Sequence, residues 1–346
     1  HIGIILAIES GLMMFTALAW GRWADHTQHF KRGIGISTVG LMVTLAWFSG
    51  AETFGDFVIY GLLRGVFMTG IVGLMPALAL ANLDPDSPGT GFGGYRRYGS
   101  IGFLFAASIM PLLFADISSM ALAAMVYVPI SYWFVNGLKD PVAHGESVTP
   151  DTKLSKVPGL GFLLAALFLA NMSEPGVHGF FNTYARDLGA SVEWVGIVSG
   201  MTGVIALLSL GYMGRLADRI GAARLLVYGF VAQGLRMLTT SFITDADWMW
   251  VPHLFHGFGW AGREVGTLLL LSALLGKQLR GLASSLLISL RMGGMMAGSL
   301  LMGWLAETQG YPVMFRVIAA LVGLGWLALL IAFRLQRREA AVRAGG

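Results

Sequence analysis

Several ionisable residues of this chain stand inside apolar runs, and their spacing places them on shared helix faces. Glu174 and His178 are four residues apart with Pro175 between them, so they share one face of a helix whose backbone ladder the proline interrupts. Further on, His253, His256, Trp260 and the adjacent Arg263 and Glu264 recur at three- and four-residue steps, forming one stripe. Arg263 and Glu264 point about 100° apart, so at most one of them faces a cavity while the other makes a structural bond. Arg64 stands alone in an earlier apolar run, about 15 Å from its nearer end at 1.5 Å per residue. A charge at membrane depth costs several kcal/mol unless it is paired or hydrated, so residues of this kind need a reason. Imidazoles and carboxylates are also the groups whose protonation burial and neighbours shift most usefully. Arg64, Glu174, His178, His256, Trp260, Arg263 and Glu264 are accordingly the candidates for binding a polar solute and relaying a proton, with a permanent salt bridge to an Arg such as Arg263 the alternative for Glu174. His253 is expected at the membrane interface, Glu9, Arg236 and Arg291 in salt bridges between helices, and Arg316 snorkelling at a span end.

The elements that must hold these residues are membrane helices. Hydrophobic residues make up 55% of the 346, charged ones 12%, and the mean hydropathy is +0.70, all far from soluble averages. The absence of cysteine excludes disulfides, thiolate metal sites and a cysteine nucleophile. The net charge of +4 comes from basic residues spread over short segments, which is no nucleic-acid signal. Apolar spans are read near 2–20, 34–50, 55–82, 97–114, 117–136, 158–184, 192–213, 224–244, 248–275, 281–306 and 312–333.

A short polar pattern occurs twice between these spans, as Gly21-Arg22-Trp23-Ala24-Asp25 and as Gly214-Arg215-Leu216-Ala217-Asp218-Arg219. The repeat implies a tandem duplication of a membrane unit. Two spans precede the second copy within its half and one precedes the first, so a first helix is expected to be missing and the eleven visible spans count as 2 to 12. Lys and Arg between spans fall almost wholly on one side, which the positive-inside rule makes cytoplasmic, with Arg186 on the other. Residues 139–157, rich in Pro, Gly, Ser and Thr, read as a cytoplasmic linker between halves 1–138 and 158–336, with a cytoplasmic tail at 337–346. Gly294 and Gly298 signal close helix packing, since no strand and no Lys-Ser/Thr accompanies them as in a phosphate loop.

The pattern Gly-x-x-x-Asp-Arg between apolar spans resembles the signature loop of the major facilitator superfamily of transporters. The first copy departs from it, with His26 in the place of Arg and basic residues displaced to Lys31 and Arg32. The runs Arg96-Arg97-Tyr98-Gly99-Ser100-Ile101-Gly102-Phe103, Phe180 to Ala190 and His256-Gly257-Phe258-Gly259 resemble the branch of lactose-permease-like, nucleoside/proton and phenylpropionate-type permeases. The resemblance implies an all-α bundle of two pseudo-symmetric six-helix halves. It implies that the first and fourth helix of each half line a central cavity, which makes spans 4, 7 and 10 the visible cavity helices. It also implies gating roles for Gly21, Arg22, Asp25, Gly214, Arg215, Asp218 and Arg219.

No Gly-x-Ser-x-Gly, His-Glu-x-x-His or nucleotide-binding loop is present, which argues against an enzyme or a primary pump and leaves a gradient as the energy source. The expectation is a monomeric, proton-coupled secondary transporter of the bacterial inner membrane, moving a small polar or amphipathic solute, with no metal or cofactor. The resemblance favours symport over antiport. The alternatives are a proton-driven drug exporter, which would show an apolar cavity with one acidic residue, and a non-transporting assembly factor, which would need no titratable cavity.

Overall fold

The apolar runs fold as helices, because backbone N–H and C=O groups in lipid must be satisfied within the segment that carries them. In a computed structural model, which describes residues 2–113, 117–141, 157–276 and 279–345, these are α1 (Ile2–Thr27), α2 (Phe30–Ser49), α3 (Phe54–Ala81), α4 (Pro88–Leu113), α5 (Ile117–Val135), α6 (Leu160–Asn171), α7 (Phe181–Asp187), α8 (Val192–Ile220), α9 (Ala222–Thr240), α10 (Arg263–Leu275), α11 (Arg280–Gln309) and α12 (Tyr311–Gly345). Each expected span falls on one helix or on a broken pair, and no strand occurs among the described residues. Exposed apolar side chains such as Phe15, Val39, Trp133, Leu208, Leu300 and Leu324 suit a lipid solvent. The linker expected at 139–157 falls mainly on 142–156, outside the described residues.

Local chemistry sets the ends. Thr53 and Asp56 form a reciprocal capping box at the start of α3, and the Ser191 hydroxyl accepts from Trp194 N at 3.1 Å to start α8. Gly221, at φ +86°, makes the bend between α8 and α9, a backbone conformation that disfavours any side chain.

Two helices are interrupted. α6 ends at Asn171, and Pro175, which has no N–H to donate, leads into a π-helical turn, Gly176–Phe180, before α7 resumes. The break expected at Pro175 is thus present. A second break lies in the 248–275 span, where a 3₁₀ stretch, Val251–Phe255, passes into a π turn, Gly257–Gly262, and only then into α10. Pro252 and three glycines within six residues weaken the α ladder there. π turns are frequent at functional sites, and both of these carry candidate residues.

Three boundaries differ from the sequence reading in ways that matter. α4 begins at Pro88, nine residues before the expected 97. The two signature stretches are not loops, because α1 runs on through Thr27 and α8 through Ile220. Gly and Asp of each copy therefore lie four residues apart on one helix face.

The chain divides into two units. The first comprises residues 1–86, 101–150 and 271–292. Within it α1 and α2 pack on α3 and α2 on α5, around Ala24, Phe30, Ile34, Leu74, Ala77, Leu78 and Val135. The second comprises residues 87–100, 151–270 and 293–346, in which α6 and α9 pack on α12. Its core includes Val177, Phe181, Tyr184, Met237, Met249, Met302, Phe315 and Ile318. α4 opens in the second unit and ends in the first; α11 does the reverse.

Candidate functional site

The two broken helices of the second unit meet through a charge pair. Glu174 stands in the gap between α6 and the first π turn, and Arg263 is the first residue of α10, directly after the second. Arg263 Nε donates to Gly259 O at 2.6 Å, which fixes the guanidinium against its own turn, and Nη2 donates to Glu174 Oε1. Both side chains are buried. Ser173 Oγ, next to Glu174 in the chain, accepts from Gln233 Nε2 of α9 at 2.6 Å. Glu264, rotated by one helix step, pairs instead with Arg96 Nη2 of α4 at 2.9 Å. The two adjacent residues diverge, and both are in ion pairs; neither lines the cavity described below.

Arg236 of α9 is 1% exposed, and it contacts Nδ1 of His256 and, at 3.4 Å, Nδ1 of His253. A guanidinium can only donate, so both Nδ1 atoms accept and the proton of each neutral ring sits on Nε2. This corrects two expectations. His253 is not interfacial, being fully buried and packed on Phe181 with ring centroids 4.7 Å apart. Arg236 meets imidazoles, and no carboxylate among the described residues lies within salt-bridge distance of it. The His256 ring stacks on Trp260 at 5.6 Å and 8°, and Arg96 lies over the same indole at 5.9 Å. The stripe read from the sequence is thus assembled, apart from the His178 side chain, which lies outside the described residues.

A cavity of about 420 Å³ opens on this cluster, lined by Glu174, Pro175, Gly179, Phe180, Thr183, Met295 and Ser299. Met295 and Ser299, on α11, and Arg96, on α4, were not foreseen. Arg96 was read as a residue preceding its span, although Ser87-Pro88 carries the signature of a helix start, with Pro at the first helical position.

In the first unit, Arg64 of α3 pairs with Glu9 of α1 at 3.0 Å and lies over Tyr60 at 5.9 Å. The salt bridge expected of Glu9 is present, and Arg64 is its other half.

The duplicated Gly-x-x-x-Asp pattern does the same physical task in each unit. Asp218 accepts from Gly89 N and Thr90 N, both at 2.7 Å, and from Thr90 Oγ1 at 2.6 Å, all at the start of α4. Asp25 accepts from Gly281 N at 2.8 Å and Leu282 N at 2.7 Å, at the start of α11. The first N–H groups of a helix have no partner of their own, and the helix dipole favours a negative charge there. The glycine one turn earlier allows the approach. A Cβ on Gly214 would lie 2.2 Å from Gly89 O, and one on Gly21 would lie 2.6 Å from Gly281 O. Arg22, Arg215 and Arg219 are exposed beside these contacts. Burial pushes the Asp25 carboxyl up to about 7, against the opposing pull of the two amides.

Comparison with known proteins agrees with this architecture. Residues 1–317 match the MFS_1 like family. A multi-drug resistance efflux pump PmrA homolog of Lactococcus lactis is 25% identical over 268 residues, covering 73% of this chain and 64% of that protein's length. Multidrug resistance protein MdtG of Enterobacter lignolyticus is 24% identical over 344 residues, covering 92% of this chain and 79% of its own. Among solved structures, the major facilitator transporter FucP in the outward conformation superposes with a TM-score of 0.76 at 12% identity, over 94% of this chain and 89% of that one. A bacterial homologue of the iron transporter ferroportin gives 0.76 at 17% identity, over 94% and 88%. With the broken helices, the duplicated caps and the family match in place, the chain belongs to the MFS_1-like family of the major facilitator superfamily, and it is a multi-pass membrane transporter and not an enzyme.

Proposed function

We propose that the protein is a secondary active transporter of the bacterial inner membrane that moves a small polar or amphipathic organic solute by alternating access, in symport with a proton. The observation that carries this reading is the position of Glu174. It stands at a helix break, forms part of a cavity wall, and is held by a single guanidinium, Arg263. A solute acceptor group that takes over Arg263 releases Glu174, and the released carboxylate takes the proton. Binding of solute and proton is then linked through one shared cation. The Asp25 and Asp218 contacts act as gates in this scheme, holding the starts of α11 and α4 in one access state and releasing them in the other. The signature stretches, the linker and the C-terminus face the cytoplasm, the side on which the basic residues gather.

The test uses full-length protein in proteoliposomes, with a solute first found by thermal-shift screening of sugars, nucleosides and aromatic acids. An inward proton gradient should drive accumulation. Glu174→Gln keeps an acceptor for Arg263 but cannot be protonated, so it should lose accumulation and retain counterflow exchange. A folded Gln variant that accumulates solute with normal pH dependence overturns the role of Glu174. The second reading, a proton-driven exporter, is favoured by the names of the multidrug-resistance relatives and by the cavity lining, largely apolar with Glu174 as its acidic side chain. It predicts extrusion, not accumulation, in the same gradient.

A further inference from the structure

We infer that Gly179 sets the upper size of the solute that the cavity beside Glu174 admits. The inference rests on the transport reading above, which makes the solute the body that enters, and adds the residue that limits it.

The cavity is lined from two helix faces. Pro175, Gly179 and Thr183 recur at four-residue steps and form one wall, with Thr183 Oγ1 donating to Gly179 O at 3.2 Å. Met295 and Ser299, four residues apart on α11, belong to another. Glu174, the one charged side chain among the described residues of the lining, is held by Arg263, so these walls select less by charge than by room. The other side of the first π turn, Val177 with Phe181 just beyond it, is buried in the core. Gly179 thus occupies the middle of the open wall.

Of the glycines in the two π turns, three are explained by close packing. A Cβ on Gly176 would run into Met302 Cε, one on Gly257 would lie 3.0 Å from Ser209 Cβ, and one on Gly259 would lie 2.9 Å from Gln233 Oε1. Gly179 differs from them. A Cβ there meets no heavy atom within 4 Å, and its φ lies outside the left-handed region that favours glycine. Neither packing nor backbone conformation asks for glycine at this position, and glycine is among the least favourable residues within a helix. What the missing side chain leaves is space in the cavity wall. The volume of about 420 Å³ falls within the roughly 300–1,000 Å³ of small-molecule sites, so a side chain at 179 takes up room that the body of a solute needs. Pro175, Phe180 and Met295 offer that body an apolar surface, and Thr183 and Ser299 offer hydroxyls, a combination that suits an amphipathic solute.

The experiment uses the absence of cysteine from the chain, which lets one introduced thiol report alone. Ser299→Cys, a near-isosteric change on the α11 wall, is made in full-length protein and reacted with methyl, butyl and benzyl methanethiosulfonate. These reagents are uncharged and increase in size, and each rate is divided by that of the same reagent with free cysteine. Adding Gly179→Leu should lower the benzyl-to-methyl ratio by about tenfold or more, the low end of the ~10–200-fold that one methylene commands in an apolar pocket, and Gly179→Ala should lower it by less. Gly161→Leu, on α6 and outside the lining, where a Cβ also meets nothing within 4 Å, should leave the ratio unchanged. An unchanged ratio in Gly179→Leu overturns the proposal. So does equal slowing of all three reagents, which means a closed access and not a limit on size, and so does a thiol in Ser299→Cys that resists even the methyl reagent. Gly179→Ala adds one methyl into open space and decides the trend where the Leu variant fails to fold. No solute and no gradient enters the measurement, so its result stands apart from that of Glu174→Gln.

Discussion

Replacing Asp218 with alanine removes the carboxylate that accepts from Gly89 and Thr90 at the start of α4 and leaves the matching contact at Asp25 intact. Three hydrogen bonds are lost, from Gly89 N and Thr90 N at 2.7 Å and from Thr90 Oγ1 at 2.6 Å. Because Asp218 is exposed, water recovers part of each bond. The loss is therefore that of a capping side chain, about 0.5–2 kcal/mol, plus the charge–dipole contribution of about 0.3–1 kcal/mol. The sum, about 1–3 kcal/mol, corresponds to a ~5–150-fold shift between the capped and uncapped states of α4. Hydrogen exchange read by mass spectrometry should show the amides of Gly89 and Thr90 exchanging faster by that factor, with those of Gly281 and Leu282 unchanged. Asp218→Asn, which retains one oxygen, should fall between the two. Unchanged exchange at Gly89 and Thr90, or equal acceleration at both helix starts, would refute the assignment of the aspartate as a local cap and gate.

Three further outcomes follow from the same geometry. Gly214→Ala places a methyl 2.2 Å from a backbone oxygen and should destabilise by about 1–3 kcal/mol in a thermal melt, whereas Gly196→Ala, with nothing within 4 Å, should be neutral or slightly stabilising. Arg263→Met leaves the buried Glu174 carboxylate without its cation and should cost about 3–5 kcal/mol, most of it recovered in the double variant with Glu174→Leu; a single variant as stable as the parent would show that the pair is not a buried ion pair. The Asp25 contact should depend on pH with a defined sign: its carboxyl stands at about 7 in the contact and at the ordinary 3.8 when released, so the contact binds the proton more tightly, is strongest near pH 4 and weakens as pH rises to about 7. Exchange protection at Gly281 and Leu282 should fall over that window and become flat in Asp25→Asn; an opposite slope would reject the assignment.

The sequence by itself determined the all-α membrane class, the repeated Gly-x-x-x-Asp pattern and the charged residues that stand inside apolar helices. These follow from composition and period, because lipid admits few alternatives to an apolar helix and makes every charge within one conspicuous. It also placed one backbone break at Pro175, where a missing N–H has a local cause. What tertiary structure decided was partnership. Adjacency along the helix separates Arg263 from Glu264, and a Glu174–Arg263 pair was one of two readings open to the sequence, but only packing selects it and gives Arg96 to Glu264, since ion pairing depends on which helices approach and at what height. The helical period put His253 on one stripe with His256, but only packing sets Arg236 of α9 against that stripe, so its imidazole partners and the burial of His253 were not legible in the sequence. The signature stretches read as loops because they are polar, yet each is the end of a helix, and the Gly-x-x-x-Asp spacing acquires its meaning only when the start of another helix lies against it. Short-range rules see a residue's own turn; a cap made across roughly 130 to 260 residues of chain is a property of the fold alone.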